Sequence, residues 1–109
     1  MLKDISVNSS ISIREAMKYL NSTAEKCLLV VDKDKKLLGT LTDGDIRRGI
    51  LAGKQFSEKI ENCYCTEAHY LIDGNYSKDE ALNLLRTKKL DLIPVIDSKG
   101  GIVDYLTWD

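Results

Sequence analysis

One histidine, one tryptophan, one phenylalanine, one proline and three cysteines are all that these 109 residues hold of those five types. The scarcity excludes several kinds of function. The lone histidine, His69, has no nucleophile paired with it, and the serines fall at helix caps or in polar turns, so no catalytic set is visible. Neither the Walker phosphate loop nor the Rossmann glycine fingerprint occurs. Cys27, Cys63 and Cys65 are odd in number and lack a secretory context, which argues against a disulfide framework. Cys63 and Cys65 with His69 lack a fourth ligand at a zinc spacing, and Cys27 lies inside an apolar run; the thiols read as structural or incidental, with no metal site. His69 aligns in the repeat described below with Asp4 and reads as an exposed loop residue.

Charge excess is missing too. A formal net charge of −1 lacks the concentrated basic footprint that nucleic acid demands. Lys33, Lys35 and Lys36 alternate with Asp32 and Asp34, the pattern of a solvated hairpin turn. No apolar run approaches the ~20 residues of a membrane span, and the opening MLKDISVNSS has no signal-peptide core. The chain therefore reads as cytoplasmic, with no membrane and no nucleic-acid partner. What is present is an ordinary globular composition, 43% hydrophobic, in a length that suits one compact domain.

Within that length the chain repeats itself, without a gap, at an offset of 65 positions. Ser12, Glu15, Ala16, Leu20, Val30, Asp32, Leu41 and Thr42 recur as Ser77, Glu80, Ala81, Leu85, Val95, Asp97, Leu106 and Thr107. Val7/Ile72, Met17/Leu82, Leu28/Ile93, Val31/Ile96, Leu37/Ile102 and Leu38/Val103 keep their character. Two copies this short are expected to bury their apolar faces against each other, leaving a two-fold-like cleft between them.

Each copy opens on a short strand, Ile5 to Val7 and Tyr70 to Ile72. Ser12 with Glu15, and Ser77 with Glu80, have the spacing of a capping box and predict helix starts. Ile13, Ala16, Met17 and Leu20 then form one apolar stripe, and Ala81, Leu82, Leu84, Leu85 and Leu90 another. The branched runs from Cys27 to Val31 and from Leu92 to Ile96 predict strands buried on both faces. Pro94 cannot donate to a ladder, so its strand is expected at an edge or to begin there. Polar turns at 32–36 and 97–101 lead into third strands, Leu37 to Leu41 and Ile102 to Leu106. In the first copy a second helix is expected from near Asp45 to Gly53. The expected organisation is a first repeat at 1–53, a connector at 54–67 without linker composition, and a second repeat at 68–109.

Chemistry concentrates at Gly39-Thr-Leu-Thr42-Asp-Gly-Asp45, where the third strand gives way to the second helix. Gly39 removes a side chain beside the strand, which lets a flat ligand near the backbone. Thr42 offers a hydroxyl, and Asp45 a carboxylate suited to a ribose diol. Free amides at the helix start, with Arg47 and Arg48 beyond, favour a phosphate. Equally, Asp43 or Asp45 can simply cap the helix and Thr42 be a strand-end hydroxyl. Local chemistry leaves both readings open.

Repeat and motif together resemble the CBS domain, and the pair resembles a tandem CBS or Bateman module, over essentially the whole chain. The family's nucleotide motif is met by Gly39, Thr42 and Asp45. The resemblance implies an α/β fold of strand–helix–strand–strand–helix repeats packed about a pseudo-two-fold axis. It also implies an adenine nucleotide (AMP, ADP or ATP) in the cleft as a regulatory ligand, with no obligatory cofactor. Thr42 would meet ribose or phosphate, Asp45 the ribose hydroxyls, and Ile5 and Leu28 the base. The wording from Leu38 to Arg48 is similar to modules attached to sugar-phosphate enzymes, including the arabinose-5-phosphate isomerase group. A start at Met1 fits better the N-terminal module of a sugar-phosphate nucleotidyltransferase, mannose-1-phosphate guanylyltransferase-like, with a covalently attached catalytic domain.

The second copy departs from the pattern. Asp104 replaces Gly39, Thr107 matches Thr42, and the partner of Asp45 would be position 110, so the last helix is missing. A carboxylate at 104 would crowd or repel a phosphate. One competent site centred on the first motif is therefore expected, with Thr107 a contributor only, in a chain cut from a longer protein. The alternative function is a ligand-free dimerisation or assembly module, since the same fold serves both; a small enzyme is disfavoured by the absent catalytic set. A homodimer is expected on either reading, because the helix carrying Ile46, Ile50 and Leu51 needs an apolar partner.

Overall fold

Burial on both faces dictates the two central strands. Cys27–Val31 (β2) and Ile93–Ile96 (β5) are buried at every residue. Each is flanked by a short parallel strand and a longer antiparallel one. Ser6–Asn8 (β1) and Leu37–Thr42 (β3) flank β2, and Leu71–Ile72 (β4) and Ile102–Leu106 (β6) flank β5. The helices are Ile13–Ser22 (α1), Asp43–Leu51 (α2) and Lys78–Thr87 (α3). These elements come from a computed structural model that describes residues 4–108. The outermost repeat boundaries expected above, Met1 and Asp109, lie outside them.

The pseudo-two-fold axis can be placed residue by residue. Lys36 bridges Gly101, its own equivalent 65 positions on. Around that pair, Leu37 N donates to Gly100 O at 2.9 Å and Ile102 N to Lys35 O at 3.5 Å, two bonds that the repeat exchanges. The β2–β3 and β5–β6 ladders share their register and their bulge, at Val30/Val31 and at Val95/Ile96. The copies also share a core: Leu92 joins Ile5, Ile13, Leu28, Leu29, Leu41 and Ile60, with Ile102 and Tyr105 packed against it. The radius of gyration, 13.7 Å, is close to the ~13 Å of one compact chain of this length. The copies are not separate bodies.

The segment between the copies is part of the fold. The first two amides of α1 donate into it, Ile13 N to Glu58 O at 2.8 Å and Arg14 N to Phe56 O at 3.0 Å. Glu15 N donates to Ser12 Oγ at 3.1 Å, so the start of α1 leaves none of its first three amides free. Ile60 from the same segment is fully buried, in a 3₁₀ turn over Ile60–Asn62.

Several expectations change. Pro94 lies in β5, the middle strand of its sheet and not an edge. The reason is local: Leu29, its equivalent, donates its amide to Ile5 O, whereas β4 begins only at Leu71 and pairs from Val95 onward. No ladder amide is required where the proline sits. The helix α2 starts at Asp43, two residues earlier than expected, because Thr42 is its N-cap. Met17 is exposed. Ile46 is buried in the shared core and Ile50 packs against it, leaving Leu51 as the bare apolar residue of α2. Among the described residues no helix is long and apolar enough to cross a membrane, and no group of three metal-ligating side chains converges.

Candidate functional site

Among the described residues, the three α-helices all begin with a hydroxyl at the N-cap and a carboxylate three residues on: Ser12/Glu15, Thr42/Asp45 and Ser77/Glu80. The pair expected to hold a ligand is therefore also a helix cap. Thr42 Oγ1 accepts from Asp45 N at 3.3 Å and donates to Asp45 Oδ2 at 3.1 Å, while Thr42 N donates to the same Oδ2 at 2.9 Å. The other carboxylate oxygen, Oδ1, accepts from Arg48 Nη2 at 2.7 Å. Capping and ligand contact were alternatives on sequence; the cap is formed through Oδ2, and a ligand on Asp45 would meet Oδ1 and the Arg48 guanidinium bonded to it.

A cavity of about 930 Å³ opens beside this cap, between the two copies. That is within the range of small-molecule sites. Its wall is built from the N-terminus of α2 (Thr42, Asp43, Gly44), the side chain of Arg48, the exposed flank of α1, and two loops. The loops are residues 23–26 of the first copy and 89–91 of the second. Ala24 to Lys26 and Lys89 to Asp91 are repeat equivalents, so the pseudo-symmetry brings the same loop to the cavity twice. The lining carries three cations, Lys26, Arg48 and Lys89, and three carboxylates, Glu25, Asp43 and Asp91.

Of the seven residues expected at the site, Thr42 lines this cavity and the others stand elsewhere. Asp45 lies just behind the wall, its side chain 13% exposed beneath Arg48 at 72%. Ile5 and Leu28 are 3% and 1% exposed in the shared core, in one cluster with Ile13 and Ala16 of α1, Ile46 of α2 and Leu92 of the other copy, so no base reaches them in this arrangement. Arg47 is exposed on α2 outside the cavity wall. Thr107 lines a different hollow of about 530 Å³, with Ala81, Leu85 and Trp108. The open space beside Gly39 is filled by the chain itself. A Cβ there would stand 2.0 Å from Cys65 O, where Thr40 N donates to Cys65 O at 3.0 Å and Cys65 N to Thr40 O at 2.8 Å. Gly39 makes room for the connecting segment, not for a flat ligand.

At the equivalent edge of the second copy, Asp104 Oδ1 accepts the amide of Tyr105 at 2.8 Å. Thr40 gives that same amide to Cys65 in the first copy. The carboxylate thus closes the edge that glycine leaves open. Burial pushes the Tyr105 hydroxyl above its ordinary range, with the Glu25 carboxylate adding to the rise. The cavity loops at 23–26 and 89–91 escaped a reading by motif, because loop residues carry no periodicity. Their signal was the repeat itself, which matches polar helix-to-strand connections in the two copies.

The first 52 residues match the family model described as the CBS domain. The fold is that of a tandem CBS pair. A solved CBS domain structure superposes with a TM-score of 0.85 at 23% identity, covering 99% of this chain and 84% of that one. A structure of CBSX2 in complex with AMP gives 0.81 at 23% identity over 94% of this chain and 80% of that one. The cytosolic domain of the Mg²⁺ channel MgtE in complex with ATP gives 0.77 at 18% identity over 94% and 41%. At these identities the likeness is one of fold. An uncharacterized protein of Rickettsia prowazekii is 35% identical over 79% of this chain and 26% of its own length. An inosine-5'-monophosphate dehydrogenase of Bifidobacterium longum is 28% identical over 94% of this chain and 19% of its own. The chain thus spans about a quarter of the first relative's length and about a fifth of the second's.

Proposed function

We propose that this CBS pair is a regulatory module without catalysis of its own, which binds an adenine nucleotide in the cavity beside Thr42 and Asp45. The observation that carries the reading is the place of the cavity. It lies between the copies, at the N-terminus of α2, next to Thr42 and Asp45, two of the three residues that match the family's nucleotide motif. Amides at a helix start favour phosphate, and Thr42 and Asp45 hold the acceptors a ribose needs. The AMP- and ATP-bound neighbours of the same fold support the choice of ligand. Within this reading the chain divides as a first repeat at 1–53, a connector at 54–67 and a second repeat at 68–109. The parent is a larger enzyme. Its identity as a sugar-nucleotide transferase rests on the wording from Leu38 to Arg48 alone, whereas a relative matched over nearly all of this chain is an inosine-5'-monophosphate dehydrogenase.

A thermal-shift panel of AMP, ADP, ATP, adenosyl-methionine and cytidine and guanosine nucleotides tests the ligand. At ~100 times its dissociation constant, the right nucleotide raises stability by about 2.7 kcal/mol. Absence of any shift across the panel would leave assembly as the function. One observation favours that second reading: Leu51 on α2 is 80% exposed, with Phe56 at 45%. On it, protomers pair through α2 into a homodimer, an arrangement also compatible with ligand binding.

A further inference from the structure

Asp45, the acceptor offered to a ribose, does not face the cavity; Arg48 does. Asp45 is 13% exposed and both its oxygens already accept hydrogen bonds, Oδ2 from Thr42 and Oδ1 from Arg48 at 2.7 Å. Arg48 is 72% exposed and forms part of the cavity wall. We propose that Arg48 is the specificity-determining residue of this cleft, a guanidinium cover over Asp45 that admits phosphorylated nucleosides and resists bare ones. The inference rests on the nucleotide reading above and adds to it a rule of selection.

The physical reason is an exchange of partners. Asp45 is only 13% exposed and Arg48 lies over it, so a diol reaches Oδ1 as the guanidinium moves aside and gives up a charge-assisted bond. A ligand with a phosphate returns an equivalent partner: the planar fork leaves the carboxylate for the phosphate as the hydroxyls replace it on Asp45. A nucleoside returns no anion and leaves the exposed guanidinium to water alone. Exposure and a flexible stem make the swing local. Gly44 provides the room, since a Cβ there would stand 3.3 Å from Arg48 Nη1. Of the cavity's other cations, Lys26 and Lys89 sit on the two loops, and neither shares a bond with Asp45 among those described. Replacing Arg48 therefore separates phosphate selection from general positive charge.

Calorimetry with AMP and with adenosine on the 109-residue chain tests this against Arg48→Ala and Arg48→Lys. In Arg48→Ala the preference for AMP over adenosine falls about tenfold or more, through weaker AMP binding and tighter adenosine binding together. Arg48→Lys, which keeps charge but not the fork, retains part of the preference and decides the matter where the alanine variant folds poorly. An AMP-to-adenosine ratio unchanged in the folded variants overturns the role of Arg48 while leaving nucleotide binding intact. A wild-type chain that binds neither ligand overturns the nucleotide reading itself, and this inference with it.

Discussion

The three cysteines occupy three different environments, and their chemistry should sort accordingly. Cys27 is 3% exposed in β2, and burial pushes its thiol up to about 12. Cys63 is half-buried against Gly49 of α2, donates to Asp45 O at 3.4 Å, and is also raised by burial. Cys65 is exposed. A thiol reagent at neutral pH should therefore modify Cys65 first, Cys63 slowly, and Cys27 only as the protein unfolds; three equally fast thiols would contradict the buried strand. The aspartates that open the hairpin turns behave as a matched pair. Asp32 Oδ1 accepts from Asp34 N and Lys36 N, and Asp97 Oδ1 from Lys99 N and Gly101 N. These amides, foremost those of Lys36 and Gly101, hold both carboxylates below their ordinary range. A lowered folded value means that the contribution is present above the unfolded value, about pH 4, and is lost as pH falls through the folded one. Melting temperature should fall with acidification below pH ~4, and the double variant Asp32→Asn with Asp97→Asn should flatten that fall. The turns themselves differ in one residue: Lys35 adopts φ 63° where its equivalent, Gly100, adopts 89°. Glycine reaches that region freely and lysine does not.

At the scale of elements, the first copy is tied to the segment that follows it. Amides at the start of α1 donate to Phe56 and Glu58, Ile60 fills the shared core, and Thr40 pairs with Cys65 across the edge of β3. Gly39 is the residue that permits the last of these contacts. Gly39→Ala forces a methyl to within 2.0 Å of a backbone oxygen, so the pairing must open. The expected loss is about 1–3 kcal/mol, the usual range for overpacking a filled site, read as a lower urea midpoint. An unchanged midpoint would show that the segment yields freely. The helix caps are a second device of this scale. Because Thr42 and Asp45 stabilise α2 by capping it, substitutions there change stability as well as any binding. Affinity in such variants must be compared at matched folded fractions.

For the whole molecule, the exchanged bonds about Lys36 and Gly101 make the two sheets one body, and the cavity is a consequence of that pairing. Oligomerisation is then decided by what the pairing leaves uncovered. Ile46 and Ile50 are already satisfied within the chain, so self-association through α2 depends on Leu51 and its exposed neighbours. Light scattering at micromolar protein should give a dimer mass, and Leu51→Lys should return it to that of a monomer. A wild-type chain that stays monomeric across that range removes the dimer.

Sequence alone determined the repeat, the order of its elements, two helix starts at Ser12 and Ser77, the buried strands and the hairpin turns. Each of these follows from patterns a few residues long, in which side-chain period, a cap or a turn residue acts locally. The α/β pair and its pseudo-two-fold axis were legible because an ungapped repeat carries tertiary information in linear form. Tertiary structure decided the rest. It alone showed that Gly39 is filled by Cys65, that Pro94 fits a middle strand because β4 is short, and that Ile5 and Leu28 belong to the core. It also turned Asp45 inward beneath Arg48 and brought the loops at 23–26 and 89–91 to one cavity. These outcomes depend on which surfaces meet when two distant segments pack, and a motif records which groups are present without recording what covers them.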